Sequence, residues 1–212
     1  SRLGSKDFGV NRARVEALIA LARTRTRPLI LSHDNPDPDS LASAMGLWQL
    51  FRDRCGLEAK IGYGGIVGRA ENRNMLRVLK VPAIHTSRID WSDFDLLCLV
   101  DSQPSMGNHS LPPGRSIDVV IDHHPPRPSN GHTAAFTDVG GAYGATSTIV
   151  VEYLRAAGVT PTSEVATALF YGIKSDTQDL GRMTRAVDEQ SYLYLFPFTN
   201  KAALAEIEHP AL

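Results

Sequence analysis

The sequence predicts an α/β protein: a mostly parallel sheet with helices on both of its faces. Three observations carry that expectation. Short apolar runs such as "RPLILSH", "FDLLCLVDS" and "SIDVVIDHH" are bounded by Pro, Gly and Ser, as strands buried on both faces are. Longer segments between and after them repeat apolar residues at the helical period. Strands and helices that alternate in this way need crossover connections, which produce a parallel sheet covered on both sides.

Taken in order, residues 11–24 place Val15, Leu18, Ile19 and Ala22 on one face of an amphipathic helix. "RPLILSH" follows as a short strand opened by Pro28. Residues 40–54 line up Leu41, Ala44, Met45, Trp48 and Phe51 on a second helix, with Asp39 or Ser40 as its N-cap and Gly56 just past its end. "EAKIGYGG" reads as a strand and "RAENRNMLRVLK" as a helix. Residues 94–102 and 116–124 are further strands, and "GATSTIVVEYLRAAG" and "SEVATALFYGIKSD" are two more helices. The tail from Gln190 has a weaker helical pattern. The alternation is that of a Rossmann-like sheet, with no internal repeat or low-complexity tract.

Composition narrows the function classes. The 212 residues are 42% hydrophobic and 21% charged, enough for one large domain or one and a half. A net charge of -1 leaves no basic excess for a large nucleic-acid footprint. Cys55 and Cys98 are the only cysteines, without CxxC spacing. That argues against a disulfide scaffold or a thiolate zinc site and fits a reducing, cytoplasmic compartment. No apolar run approaches the ~18 residues of a membrane span, so no membrane partner is expected. The start, "SRLGSKDFGV", lacks Met and an apolar signal core, and reads as a processed or cloned terminus with residues missing upstream.

In parallel sheets ligands bind beyond the carboxyl ends of the strands. Three apolar runs here end in "SHDNPDPD", "VD" and "DHH", which brings His33, Asp37, Asp39, Asp101, Asp122, His123 and His124 to one edge. "YGIKSDTQD" adds Asp176 at the end of a helix. Each piece alone has an ordinary reading as a solvated turn or a cap; their joint occurrence on one edge does not. Like charges ~4 Å apart at an effective dielectric near 20 repel by about 4 kcal/mol per pair. Raised pKa values relieve part of that repulsion and two divalent cations relieve all of it. Mixed carboxylate and imidazole donors suit manganese, iron, cobalt or magnesium, and zinc less exclusively.

These residues resemble the DHH phosphoesterase superfamily, named for the triplet seen here as Asp122-His123-His124. "SHDNPDPDSLAS", "LVDS", "VIDHHPP" and "GIKSDT" are similar to its four motifs, and the resemblance spans residues 27–182. "ENRNMLRVLKVP" and "GATSTIVVEYL" are similar to segments of its bacterial oligoribonuclease and phosphoadenosine-phosphate phosphatase branch. The resemblance implies that His33, Asp37 and Asp101 hold one metal, while Asp39, Asp101, His123 and Asp176 hold the other. Asp101 would bridge them, with Mn2+ the expected ion and Mg2+ or Co2+ the alternatives. Asp122 would orient a histidine from behind, and His124 would face the substrate phosphate as electrophile or proton donor. A water or hydroxide between the metals would attack.

The implied activity is hydrolysis of phosphodiester or phosphomonoester bonds in short oligonucleotides or nucleotides. Pyrophosphate or a cyclic dinucleotide would use the same site, and a non-catalytic metal- or nucleotide-binding module is the reading from another class. A homodimer is compatible with all of these. Thr146 or Ser147 would either donate to a phosphate or serve as a plain N-cap. Arg69, Asn72 and Arg73 reach substrate or form a solvated helix face, with the second preferred. His85, His109 and His132 are expected at the surface, and Trp48 and Cys98 in the core. The domain division is residues 1–26 as a leading helix, 27–185 as the catalytic core, and 186–212 as a helical segment opening a linker to a second domain that the sequence lacks.

Overall fold

The structure, a computed structural model, describes residues 4–128 and 131–209, with side chains from residue 11 onward. Six parallel strands form one sheet in the order β3-β2-β1-β4-β5-β6. They are β1 (Pro28–Leu31), β2 (Lys60–Tyr63), β3 (Ala83–His85), β4 (Leu96–Val100), β5 (Val119–Asp122) and β6 (Phe136–Val139). The helices are α1 (Gly4–Ala22), α2 (Pro38–Cys55), α3 (Ala70–Val78), α4 (Thr146–Ala156), α5 (Ser163–Asp176), α6 (Ala186–Leu195) and α7 (Lys201–Glu208). The expected α/β class and parallel sheet are therefore observed.

The continuous apolar runs have the predicted cause. In β4, Leu96, Cys98 and Val100 join the core beneath the long helices, while Leu97 and Leu99 join a smaller cluster on the opposite face. The cover of that second face is thinner than expected. Long helices pack on one side, whereas the other is closed by residues near the 3₁₀ turns, such as Ile89, Trp91 and Phe94, and by Leu111, Ile117 and Ala134 from loops. Among the described residues neither the β4–β5 nor the β5–β6 crossover contains an α-helix. Cys98 is fully buried, and Trp48 packs at the margin of the main core.

Two strands were not anticipated, β3 and β6. Both are sheet edges, only three and four residues long, and β6 alternates buried with exposed positions. The second helix also begins earlier than expected. Pro38 occupies its first turn and Asp37 is the N-cap, accepting from the Ser40 N–H at 2.9 Å. Proline's fixed φ and missing N–H suit that first helical position. Neither Asp39 nor Ser40 is the cap, because both lie inside the helix. At the other end Gly56 takes φ 67 and closes α2 as predicted. The tail contributes to the same core as the rest: Leu195 and Ile207 are fully buried in it. Residues 1–3 and 210–212, which the domain division also covers, lie outside the described residues.

Candidate metal centre

Because β1, β4 and β5 are adjacent and parallel, the residues that follow them emerge side by side. The loop after β1 is tied down from several directions. The Asp34 N–H donates to the Asn108 carbonyl at 2.6 Å, and the Ser110 hydroxyl donates to the Asp34 carboxylate at 2.7 Å. Asn35 takes the left-handed conformation at φ 57, and its N–H donates to Gly64 at 2.9 Å. Asn72 on α3 is buried and donates to the Pro36 carbonyl at 3.1 Å, so it braces this loop and is not part of a solvated face. Arg73 donates to the carbonyls of Val67 and Gly68. Arg69 is exposed.

The ring of His33 contacts the Asp34 carbonyl through Nδ1 at 2.9 Å. A carbonyl only accepts, so Nδ1 carries the proton and Nε2 faces the carboxylates. That Nε2 lies 3.6 Å from an oxygen of Asp37 and 3.6 Å from one of Asp101. His123 is arranged the same way. Its Nδ1 faces the Tyr143 carbonyl at 3.3 Å, and its Nε2 lies 3.2 Å from Asp176 and 3.6 Å from the second oxygen of Asp101. Asp101 thus stands between the two histidines with one oxygen toward each. It does so in the left-handed conformation, φ 57, which costs a non-glycine residue of order 1–3 kcal/mol. Asp39 is fully buried, and its two oxygens accept from the N–H groups of Thr146 and Ser147 at 2.7 and 2.8 Å. The first turn of α4 is therefore spent on Asp39.

All eight residues expected at this edge meet there. His33, Asp37 and Asp101 form one group of converging donor atoms; Asp39, His123 and Asp176 form another; Asp101, His123 and His124 form a third. Asp122 sits behind them, fully buried, and accepts from His124 Nδ1 at 2.7 Å on one oxygen. Gln103, which the sequence does not single out, donates to its other oxygen at 2.7 Å. Thr146 and Ser147, expected either to donate to a phosphate or to cap α4, are both fully buried inside the first turn of that helix, whose N-cap is Ala145. The Thr146 hydroxyl donates to Asp101 at 2.8 Å. Of the remaining histidines, His132 is exposed and His85 is partly so, while His109 is partly buried against the Pro104 carbonyl at 3.0 Å.

The donor set fits divalent cations. Nitrogen–oxygen separations of 3.6 Å exceed hydrogen-bond range. Two ligands of one cation, each about 2.1 Å from it, would stand roughly this far apart. His123 Nε2 is buried and has no hydrogen-bond partner. The electrostatics point the same way. Burial, then the nearby Asp101 and Asp176 charges, raise the Asp39 carboxyl well above the usual range. Burial also raises Asp101. Burial works against charge on His33, but the facing Asp101 and Asp37 outweigh it and push it up to about 11. His123 goes up to about 10 in the same way, burial being overcome by Asp176, Asp39 and Asp101. These shifts share one cause, negative charge concentrated away from water, which divalent cations would offset.

Beside this centre, Pro38 and Ser175 border a basin of about 570 Å³ that Arg69, Asn72, Tyr171 and Lys174 also line. Lys174 is already paired with Glu208 and, at 3.4 Å, with Asp179. Among the described residues no helix is long and apolar enough to cross a membrane.

Comparison with known proteins now adds to the geometry. Residues 27–173 match the family model described as "DHH family, N-terminal domain". An uncharacterized protein of Methanocaldococcus jannaschii is 37% identical over 184 residues, covering 87% of this chain and 37% of that protein. The chain therefore spans well under half the length of this relative. The crystal structure of an exopolyphosphatase-related protein from Bacteroides fragilis superposes with a TM-score of 0.70 at 17% identity, covering 94% of this chain and 61% of that one. At that identity the likeness is one of fold.

Proposed function

The chain belongs to the DHH family, and on that premise we propose that it is a metal-dependent phosphohydrolase acting on short oligonucleotides or nucleotides. The observation that carries the reading is Asp101, strained at φ 57, with an oxygen 3.6 Å from each of two inward-facing histidines. His33, Asp37 and Asp101 would hold one ion, and Asp39, Asp101, His123 and Asp176 the other, with Mn2+ expected first. Such a pair, when bound, lowers the pKa of a water and neutralises charge developing on a transferring phosphoryl group.

The chain's own residues supply the rest. Asp122 holds His124 by Nδ1, which leaves Nε2 on a side chain that is 42% exposed. The hydrogen bond that His124 donates to Asp122 raises the His124 pKa, which favours the doubly protonated ring, the form whose Nε2 would give a proton to a phosphate oxygen or a leaving group. A net charge of -1 favours a short substrate, since a long nucleic acid would need a basic track. The two unpaired cysteines, Cys55 and Cys98, support a reducing, cytoplasmic setting.

The test is hydrolysis of bis-p-nitrophenyl phosphate with Mn2+, followed by a panel of dinucleotides, 3′-phosphoadenosine 5′-phosphate, pyrophosphate and cyclic dinucleotides. Pyrophosphate joins the panel because the fold relative is described as exopolyphosphatase-related. Mn2+-dependent turnover that is fastest on dinucleotides or nucleotide esters supports the reading. Turnover confined to pyrophosphate or cyclic dinucleotides moves the substrate class. Metal binding without any turnover favours a binding module, and neither turnover nor a Mn2+-dependent rise in Tm overturns the metal reading.

A further inference from the structure

Three of the six proposed ligands lean on one turn, residues 143–148. Its Tyr143 carbonyl faces His123 Nδ1, its Thr146 and Ser147 N–H groups hold Asp39, and its Thr146 hydroxyl holds Asp101. The same hydroxyl accepts the His123 N–H at 3.2 Å. The question is what holds the turn.

A single side chain from outside the matched region does so. Asp188, in the first turn of α6, is fully buried. Its oxygens accept the Gly144 N–H at 2.9 and 3.0 Å, the Thr148 hydroxyl at 2.6 Å and the Arg185 N–H at 2.7 Å. The carboxylate thus joins both ends of the turn to the start of α6. The fit at Gly144 is close: a Cβ there would lie 2.8 Å from Asp188 Oδ2 and 2.8 Å from the Thr177 methyl. Thr177 directly follows Asp176, so the packing reaches a fourth ligand. A carboxylate buried among N–H and O–H donors is tolerated only while those donors stay in place, which makes the arrangement directional.

We propose that Asp188 is a positioning residue of the metal centre: it fixes the 143–148 turn and through it the orientation of Asp39, Asp101 and His123. The inference rests on the two-metal reading above. It assigns to α6, a helix beyond the family match of residues 27–173, control over how tightly the centre holds metal.

The experiment measures Mn2+ dissociation constants by electron paramagnetic resonance, beside the Tm and far-UV circular dichroism of the metal-free chain. The variants are Asp188→Asn, Thr148→Val and Tyr153→Phe. Asp188→Asn puts an NH2 group among donors and is expected to weaken Mn2+ binding by about tenfold or more while the chain remains folded, the range seen for groups that orient metal ligands. Thr148→Val removes one of the bonds and is expected to weaken binding by about threefold. Tyr153→Phe breaks a buried bond from the same helix to Asp138 and is expected to lower Tm while leaving the Mn2+ constant unchanged. If wild type binds Mn2+ and Asp188→Asn binds within twofold of it, the inference is overturned and the metal reading survives. If Asp188→Asn does not fold, Thr148→Val decides by the same twofold limit. If all three variants weaken Mn2+ in proportion to lost Tm, Asp188 is merely structural and the inference falls. A wild-type chain that binds none of Mn2+, Mg2+ or Co2+ overturns the metal reading and this inference with it.

Discussion

Among the buried carboxylates of the described residues, Asp138 and the pair Asp39 and Asp101 are treated differently. Asp138, on the edge strand β6, is met by Arg14, whose Nη1 lies 2.9 and 3.0 Å from its two oxygens, and by the Tyr153 hydroxyl. That site is closed, because the chain supplies its own cation. Asp39, in the first turn of α2, and Asp101, just past β4, meet no arginine or lysine among the described residues; their partners are the N–H groups of α4, the Thr146 hydroxyl and, for Asp101, imidazoles too distant for hydrogen bonds. Buried charge that is balanced internally makes structure. Buried charge left for an outside cation to balance makes a binding site, and the strain at Asp101 and the orphaned His123 Nε2 mark which one this is.

The sharpest way to break this contrast is at Asp101. Asp101→Ala is expected to lower Mn2+-dependent hydrolysis by more than about a hundredfold, beyond what groups behind the ligands cost. A variant retaining over a tenth of the wild-type rate would overturn the proposed bridging role of Asp101. Second comes metal itself. Mn2+ at a hundredfold excess over its Kd is expected to stabilise the chain by about 2.7 kcal/mol per occupied site, a rise in Tm of roughly 5–10 °C. Differential scanning fluorimetry with and without EDTA reads this directly, and an unchanged Tm counts against the centre.

Asp138→Asn should do the opposite of a site mutation. Losing the charge opposite Arg14 is expected to cost about 2 kcal/mol of stability in urea titration while the Mn2+ constant stays put. A large change in metal affinity there would erase the distinction between the two regions. The smallest effect is expected at Ser110→Ala, which strips the hydroxyl from Asp34. Stability should fall by about 1 kcal/mol, and metal affinity by no more than a few-fold, because the Asp34 carboxylate braces the loop and is not among the converging donor groups. A loss as great as that of an Asp37→Ala variant would place Asp34 among the ligands.

Much of this architecture is written locally. The runs "LILS", "LLCLV" and "VVID" announce strands because both of their faces are buried, and parallel pairing then carries His33, Asp101 and His123 to one edge. Gly56 and the helical periods of α2, α4 and α5 are also read from near neighbours in the chain. The misses share a cause too. β3 and β6 are edges, which need no apolar run, and Asp188 at a helix start looks like any acidic residue of a first turn.

What the sequence by itself determined, then, is the fold class and the set of residues that gather at the strand ends, because hydrophobic period and turn chemistry act over a few residues. What only the tertiary structure decided is the partner of each buried polar group. Asp37 caps α2 while Asp39 turns to α4, Thr146 gives its hydroxyl to Asp101, and Asp188 reaches back 44 residues to Gly144. Those choices follow from which donors the packing of α2, α4, α5 and α6 leaves within reach once water is excluded. A hydrogen bond inside the core is set by proximity in space, and no local pattern encodes it.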